Sequence, residues 1–146
     1  IVGPVYKRQQ KYYKALKRLC VQLNTFNVKF VGGRDDTRPL LKRFDVYVCT
    51  SYAESSPISV WEALSMGKPI VSTNVGDVDL YVTNNGYVAQ IKDFYAISRY
   101  LIKLITNKDK MKRFGELSRM VAVNNLNKEK CAKLHVDAYK KILSNA

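Results

Sequence analysis

"DVYVCTSYAESSPISVWEALSMGKPIVSTNVGD", residues 45–77, changes its periodicity twice. Its start, "DVYVCTS" (45–51), alternates and then meets a Ser/Thr loop, as a short strand does. From Pro57 to Met66 the apolar residues fall at helical spacing, and Gly67 closes the run. "KPIVST" (68–73) then reads as another strand. Strand, helix and strand in that order make a βαβ unit, which demands parallel strands.

The same alternation extends outward. Tyr12, Leu16, Leu19, Cys20 and Leu23 give the stretch from Tyr6 to Leu23 an apolar helical stripe. "NVKFVGG" (27–33) reads as a β-branched strand, and 35–44 as a turn and short helix with Thr37 as N-cap. After the quoted stretch come a helical turn within 74–82, a short strand within 84–91, and helices near 93–106, 109–121 and 127–143. Phe94, Ile97, Leu101, Leu104 and Ile105 form the stripe of the first of these. Cys131, Leu134, Ala138 and Ile142 form that of the last, where packing on the sheet is the expected use of Leu134 and Ile142. The expected fold is α/β: a Rossmann-like parallel sheet with helices on both faces, as one domain over 1–146. "IVG" at the start reads as the tail of a strand, so an N-terminal truncation is expected. Open parallel sheets bind ligands beyond their strands' carboxyl ends. The loops at 32–36, 50–56, 73–77 and 91–93 are therefore the ones to inspect.

Bulk properties narrow the partners. The 146 residues carry 25 Lys and Arg against 12 Asp and Glu, a formal charge of +13. That favours anionic partners such as nucleotides, nucleic acid or an acidic membrane face; the bland alternative is a solvated lysine-rich surface. No apolar run approaches the roughly 20 residues of a membrane span. Cys20, Cys49 and Cys131 form no CxxC pair and His135 is the single histidine. Three reduced thiols in a cytoplasmic protein and no bound metal are expected.

The quoted stretch also places Glu54 before a helix mouth and Glu62 inside the helix. Ser55 and Ser56 are candidate caps, and Pro57 suits the first turn, where its missing N–H would be unpaired anyway. The amides of Ile58 and Ser59 then point out of the sheet edge, a seat for phosphate. Glu62 shares the face of Ile58 and Ser59, whereas Val60, Ala63 and Leu64 face the sheet. As an acceptor, an ionised Glu62 suits a vicinal diol, and Glu54 can reach hydroxyls beyond the phosphate. Diol, phosphate and polyol in series describe a nucleotide sugar. A dipole-stabilising Glu62 with a solvated Glu54 is the plain structural alternative. Glycoside hydrolysis would need the two acids to flank one bond, and nothing else in the chain suggests such a cleft.

Read as an ordered string, Ser51, Glu54, Glu62, Ala63, Gly67-Lys68-Pro69, Gly76 and Asn85-Gly86-Tyr87 resemble the donor-binding signature of GT-B glycosyltransferases, family 4 in particular. The likeness is close over about 28–90. It implies the C-terminal half of a retaining hexosyltransferase, with Glu62 on the donor ribose and Glu54 beside the transferred sugar at the reaction centre. It implies that Ser55, Ser56, Pro57, Ile58 and Ser59 line the diphosphate and sugar, with Ile58 and Ser59 donating. It further implies that Gly33 and Arg34 border the base, Arg34 either stacking on it or staying solvated. The donor would be a UDP-, GDP- or ADP-sugar, with no cofactor and no metal. The leaving diphosphate would help deprotonate the acceptor, so no separate nucleophile is expected.

Departures from the pattern carry expectations of their own. The Arg/Lys pair that holds the diphosphate would precede Ile1, as would the N-terminal Rossmann domain that contacts the acceptor. That domain is the expected partner, and the chain by itself is expected to be inactive. Gly76-Asp77 and Leu80 stand where many relatives have Gly-Gly and Glu, with Asp79 a substitute only if the loop shifts. The final helix is expected to cross toward the first domain. Nucleic acid is disfavoured for want of a motif, while peripheral membrane contact of the intact enzyme suits the basic helix at 7–18. A GT-B epimerase and a non-catalytic basic interaction module are the alternatives.

Overall fold

The computed structural model describes residues 1–144, and the chain forms two compact units, Ile1–Pro39 and another starting at Leu40. In the first unit a 3-10 turn, Lys7–Gln9, runs into α1 (Gln10–Gln22). Half-buried Tyr13, Leu16 and Cys20 repeat at i, i+3 and i+7 and form the inner face. Tyr13 meets Phe30 edge-on with centroids 5.3 Å apart. The expected stripe is right at Leu16 and Cys20 and wrong at Tyr12, Leu19 and Leu23, which are exposed.

Residues 27–33 are not a regular strand. Residues 29–32 lie alongside 1–3, with the Ile1 amine donating to the Lys29 carbonyl at 2.7 Å and the Val31 amide to Ile1 at 3.0 Å. Gly3 (φ +149°) and Gly32 (φ +73°) leave the extended region and end the ladder after a few bonds. Next comes α2 (Arg38–Lys42), preceded by a turn in which the Asp36 carboxylate accepts from the Arg38 amide at 3.0 Å.

The second unit contains a parallel sheet of β1 (Tyr47–Cys49), β2 (Ile70–Thr73) and β3 (Gly86–Ala89), in the order β1-β2-β3. Tyr47 pairs with Ile70, and Ile70 with Gly86. Five helices accompany it: α3 (Ile58–Ser65), α4 (Val78–Tyr81), α5 (Phe94–Ile105), α6 (Lys108–Asn125) and α7 (Lys128–Ser144). All four residues of β2 are buried, as a central parallel strand requires. Ile70 packs with Val60, Ala63 and Leu64 of α3 and Ala122 of α6, whereas Val71 packs with Ala96, Ile97 and Leu104 of α5. Helices therefore cover both faces.

Two glycines set the helix packing. Gly67 (φ +65°) ends α3, and a Cβ on Gly115 of α6 would lie 2.5 Å from the Gly67 carbonyl oxygen. Arg119 on α6 donates to the Ser65 carbonyl at 2.6 Å, satisfying an end of α3. Two expected stripes need correction. Phe94 and Ile105 of α5 are exposed, because Ala96, with Ile97 and Leu104, takes the buried positions. Helix α7 buries no residue, and Leu134 and Ile142, expected to pack on the sheet, are exposed. Among the described residues, periodicity there marks an apolar face that is largely exposed, with Cys131 half-buried.

Candidate functional site

The site is built at the carboxyl ends of β1 and β2. The Thr73 hydroxyl at the end of β2 donates to the Ser51 carbonyl at 2.7 Å and ties the two strand ends together. The Ser51 hydroxyl donates to Glu54 Oε1 at 2.8 Å, so the exposed Glu54 carboxylate is held in one orientation. Beneath it the buried Cys49 thiol lies 3.6 Å from the Ser51 oxygen.

Gly76 brings the loop after β2 against this one. At φ +55°, a Cβ there would lie 2.3 Å from the Ser55 carbonyl oxygen and 3.1 Å from that of Glu54. Any side chain would push the two loops apart. The expectation that Ser55 or Ser56 caps α3 fails. Pro57 is the N-cap, with no side-chain cap bond. The Ser56 hydroxyl instead donates to Asp77 Oδ2 at 3.3 Å and accepts from Trp61 Nε1 at 3.0 Å. Asp77, the residue that departs from the Gly-Gly pattern, thus braces the loop, and its other oxygen, Oδ1, is buried without a hydrogen-bond partner. Asp79 is exposed on α4.

The mouth of α3 is electropositive. The Pro57 carbonyl accepts from the amides of Val60 at 2.8 Å and Trp61 at 3.3 Å. Among the described residues, the amides of Ile58 and Ser59 have no acceptor. Two unspent N–H groups at a helix N-terminus attract an anion. Val60, Ala63 and Leu64 are fully buried, as expected, which fixes the direction of this mouth.

Tyr47, which the sequence did not single out, lies beside α3. Its half-buried phenol is hydrogen-bonded to the Ser59 side chain. Burial raises its pKa; Ser59 partly offsets this, and the charges of Cys49, Glu62 and Glu54 raise it further. Both glutamates therefore lie within electrostatic reach of one phenol. The signal was present in the strand pattern, since Tyr47 and Cys49 are two apart and share a face. Exposed Glu62 also lines a groove of about 670 Å³ with Ile58, Trp61, Arg119, Leu126 and Asn127. Glu54 is not among the residues of that groove.

Gly33 and Arg34 belong to the first unit. Both are exposed, and Arg34 Nη1 donates to the Gly33 carbonyl at 2.8 Å. Other motif residues have packing roles. Lys68 Nζ donates to the Lys42 carbonyl at 2.9 Å. Buried Asn85 accepts from the Thr83 amide at 3.0 Å and donates to the Tyr81 carbonyl at 3.1 Å. A Cβ on Gly86 would sit 2.3 Å from the Ile70 carbonyl oxygen. Among the described residues no three His, Cys, Asp or Glu side chains gather as metal ligands. The site offers backbone amides, hydroxyls and carboxylates.

The family model for glycosyl transferases group 1 matches residues 1–121. The lipopolysaccharide core biosynthesis glycosyltransferase LpsE of Rhizobium meliloti is 28% identical over 120 residues, covering 81% of this chain and 34% of LpsE. The crystal structure of HepE from Anabaena in complex with UDP superposes with a TM-score of 0.90 at 22% identity, covering 96% of this chain and 40% of HepE. The crystal structure of the C-terminal domain of the group 1 protein LpcC from Francisella tularensis gives a TM-score of 0.77 at 19% identity, covering 84% of this chain and 66% of that one. The chain spans about a third of the length of the curated relatives it matches, 34% and 31% for two of them.

Proposed function

The chain belongs to the glycosyl transferases group 1 family, with the fold of the C-terminal half of a GT-B enzyme, and from that premise we propose that it binds the nucleoside-diphosphate sugar donor of a retaining hexosyltransferase. The observation that carries this reading is the open mouth of α3 beside the joined ends of β1 and β2. Glu54, held by Ser51, follows the joined ends of β1 and β2, and the amides of Ile58 and Ser59 open the helix that comes next, with Glu62 one turn further along it. The HepE complex with UDP supports a uridine nucleotide as the first donor to try.

The resemblance to the family's donor-binding signature gives each residue a role that its chemistry suits. The amides of Ile58 and Ser59 take the diphosphate, with Ser55, Ser56 and Pro57 shaping the loop against it. Glu62 accepts from the ribose hydroxyls. Glu54, oriented by Ser51, stands beside the transferred sugar. In the reaction the bond from the anomeric carbon to the diphosphate breaks, and its electron pair goes to the diphosphate. A bond from the acceptor oxygen to that carbon forms on the same face, and the acceptor's proton passes to the departing diphosphate. The chain's contribution is electrostatic, through oriented dipoles aimed at the charge that develops on the leaving group. A second Rossmann-like domain supplies the acceptor site. The LpsE likeness supports a lipid-borne glycoconjugate as acceptor, and with it peripheral membrane contact of the intact enzyme.

Calorimetric titration of UDP, GDP and ADP and their sugars tests the reading. Glu62→Ala should weaken nucleotide binding about ten- to a hundredfold, the value of hydrogen bonds to a charged acceptor. Glu54→Gln should leave the free nucleotide's affinity unchanged and weaken only the nucleotide sugar. Equal affinities of the wild type and Glu62→Ala would remove Glu62 from the site.

A further inference from the structure

Residues 1–34 contain eight Lys or Arg and no Asp or Glu, so this segment supplies +8 of the chain's +13. Six of the eight fall between Lys7 and Arg18. Among the described residues none of these six has an ion-pair partner, and Lys17 lies over the Tyr13 ring at 5.0 Å. On α1, Lys11, Lys14 and Arg18 repeat at i, i+3 and i+7 and are exposed, on the side away from Tyr13, Leu16 and Cys20. Beside them Tyr12, Leu19 and Leu23 repeat at i, i+7 and i+11. These are exposed too, and Phe26 beyond the helix end is 80% exposed.

An acid-free helix with cations on one strip and uncovered apolar side chains on the next matches one kind of surface. We propose that this face of α1 docks the protein on an anionic lipid bilayer. Lys11, Lys14 and Arg18 meet the headgroup charges, while Tyr12, Leu19, Leu23 and Phe26 enter the interface. A polynucleotide would match the charge and offer nothing to Leu19 and Leu23. The inference deepens the membrane part of the function proposed above. It does not involve the donor site, so nucleotide titration and vesicle binding can fail separately.

Cosedimentation of the full chain with vesicles decides it. Vesicles of equal parts phosphatidylcholine and phosphatidylglycerol should bind the chain, and pure phosphatidylcholine should not. Each cation at an anionic surface strengthens binding about fivefold. The triple variant Lys11→Gln, Lys14→Gln, Arg18→Gln should therefore bind about a hundredfold more weakly. These side chains are exposed, so circular dichroism of that variant should match the wild type. A control with Lys128→Gln, Lys133→Gln and Lys140→Gln on α7 removes the same charge elsewhere and should bind as wild type does. Equal loss in both variants would reduce the effect to net charge and overturn the assignment. So would an undiminished triple variant, equal binding to neutral vesicles, or displacement of the chain from anionic vesicles by single-stranded RNA at lower concentration than by salt.

Discussion

Gly76 shows how one missing side chain assembles the site. Its φ of +55° and the 2.3 Å approach of a would-be Cβ to the Ser55 carbonyl both exclude other residues. Gly76→Ala should lower unfolding free energy by roughly 2–4 kcal/mol, combining backbone strain with a clash that only loop movement relieves. Urea denaturation measures this, and an unchanged midpoint would mean that the two loops do not depend on their contact. The strand, loop and helix that carry Glu54 and Glu62 were legible in the sequence, because spacing along them is local information. The surroundings of Tyr47 were not, since they depend on which side chains the packed α3 turns toward it. Ser56 was misread for a similar reason: Asp77, 21 residues away, claims its hydroxyl.

Among elements, α3 and α6 meet where Gly67 faces Gly115, and a Cβ on Gly115 would lie 2.5 Å from the Gly67 carbonyl. In an isolated helix, alanine in place of glycine gains about 1 kcal/mol. Here the clash costs roughly 1–3 kcal/mol and should win, so Gly115→Ala should lower the urea midpoint. Leu134→Ser on α7 should by contrast change stability by less than about 0.5 kcal/mol, because that leucine is already exposed. A large loss there would show that α7 packs after all. The apolar period of α7 was readable, but period reveals amphipathicity and not what covers the face. The same limit displaced the α1 stripe by one position, from Tyr12 to Tyr13. The expected strand at 27–33 was cut short by Gly3 and Gly32, whose conformations no periodicity records.

For the whole molecule, the alternation of strand and helix was enough to give a parallel sheet covered on both faces, because crossovers between parallel strands leave few other arrangements. The chain spans about a third of the length of two curated relatives, 34% and 31%. We expect the isolated chain to bind a nucleotide sugar yet release no nucleoside diphosphate when an acceptor is added. A coupled assay for that product checks it, and measurable turnover would remove the need for a second domain. One strand governs how such a binding site can respond to damage. Ile70 and Val71, consecutive on β2, belong to opposite cores, so neither core can melt while the other stays intact. The candidate-site loops at that strand's end therefore inherit the cooperativity of the whole second unit. A cavity opened in either core would reduce the population of competent molecules before it altered the shape of the site.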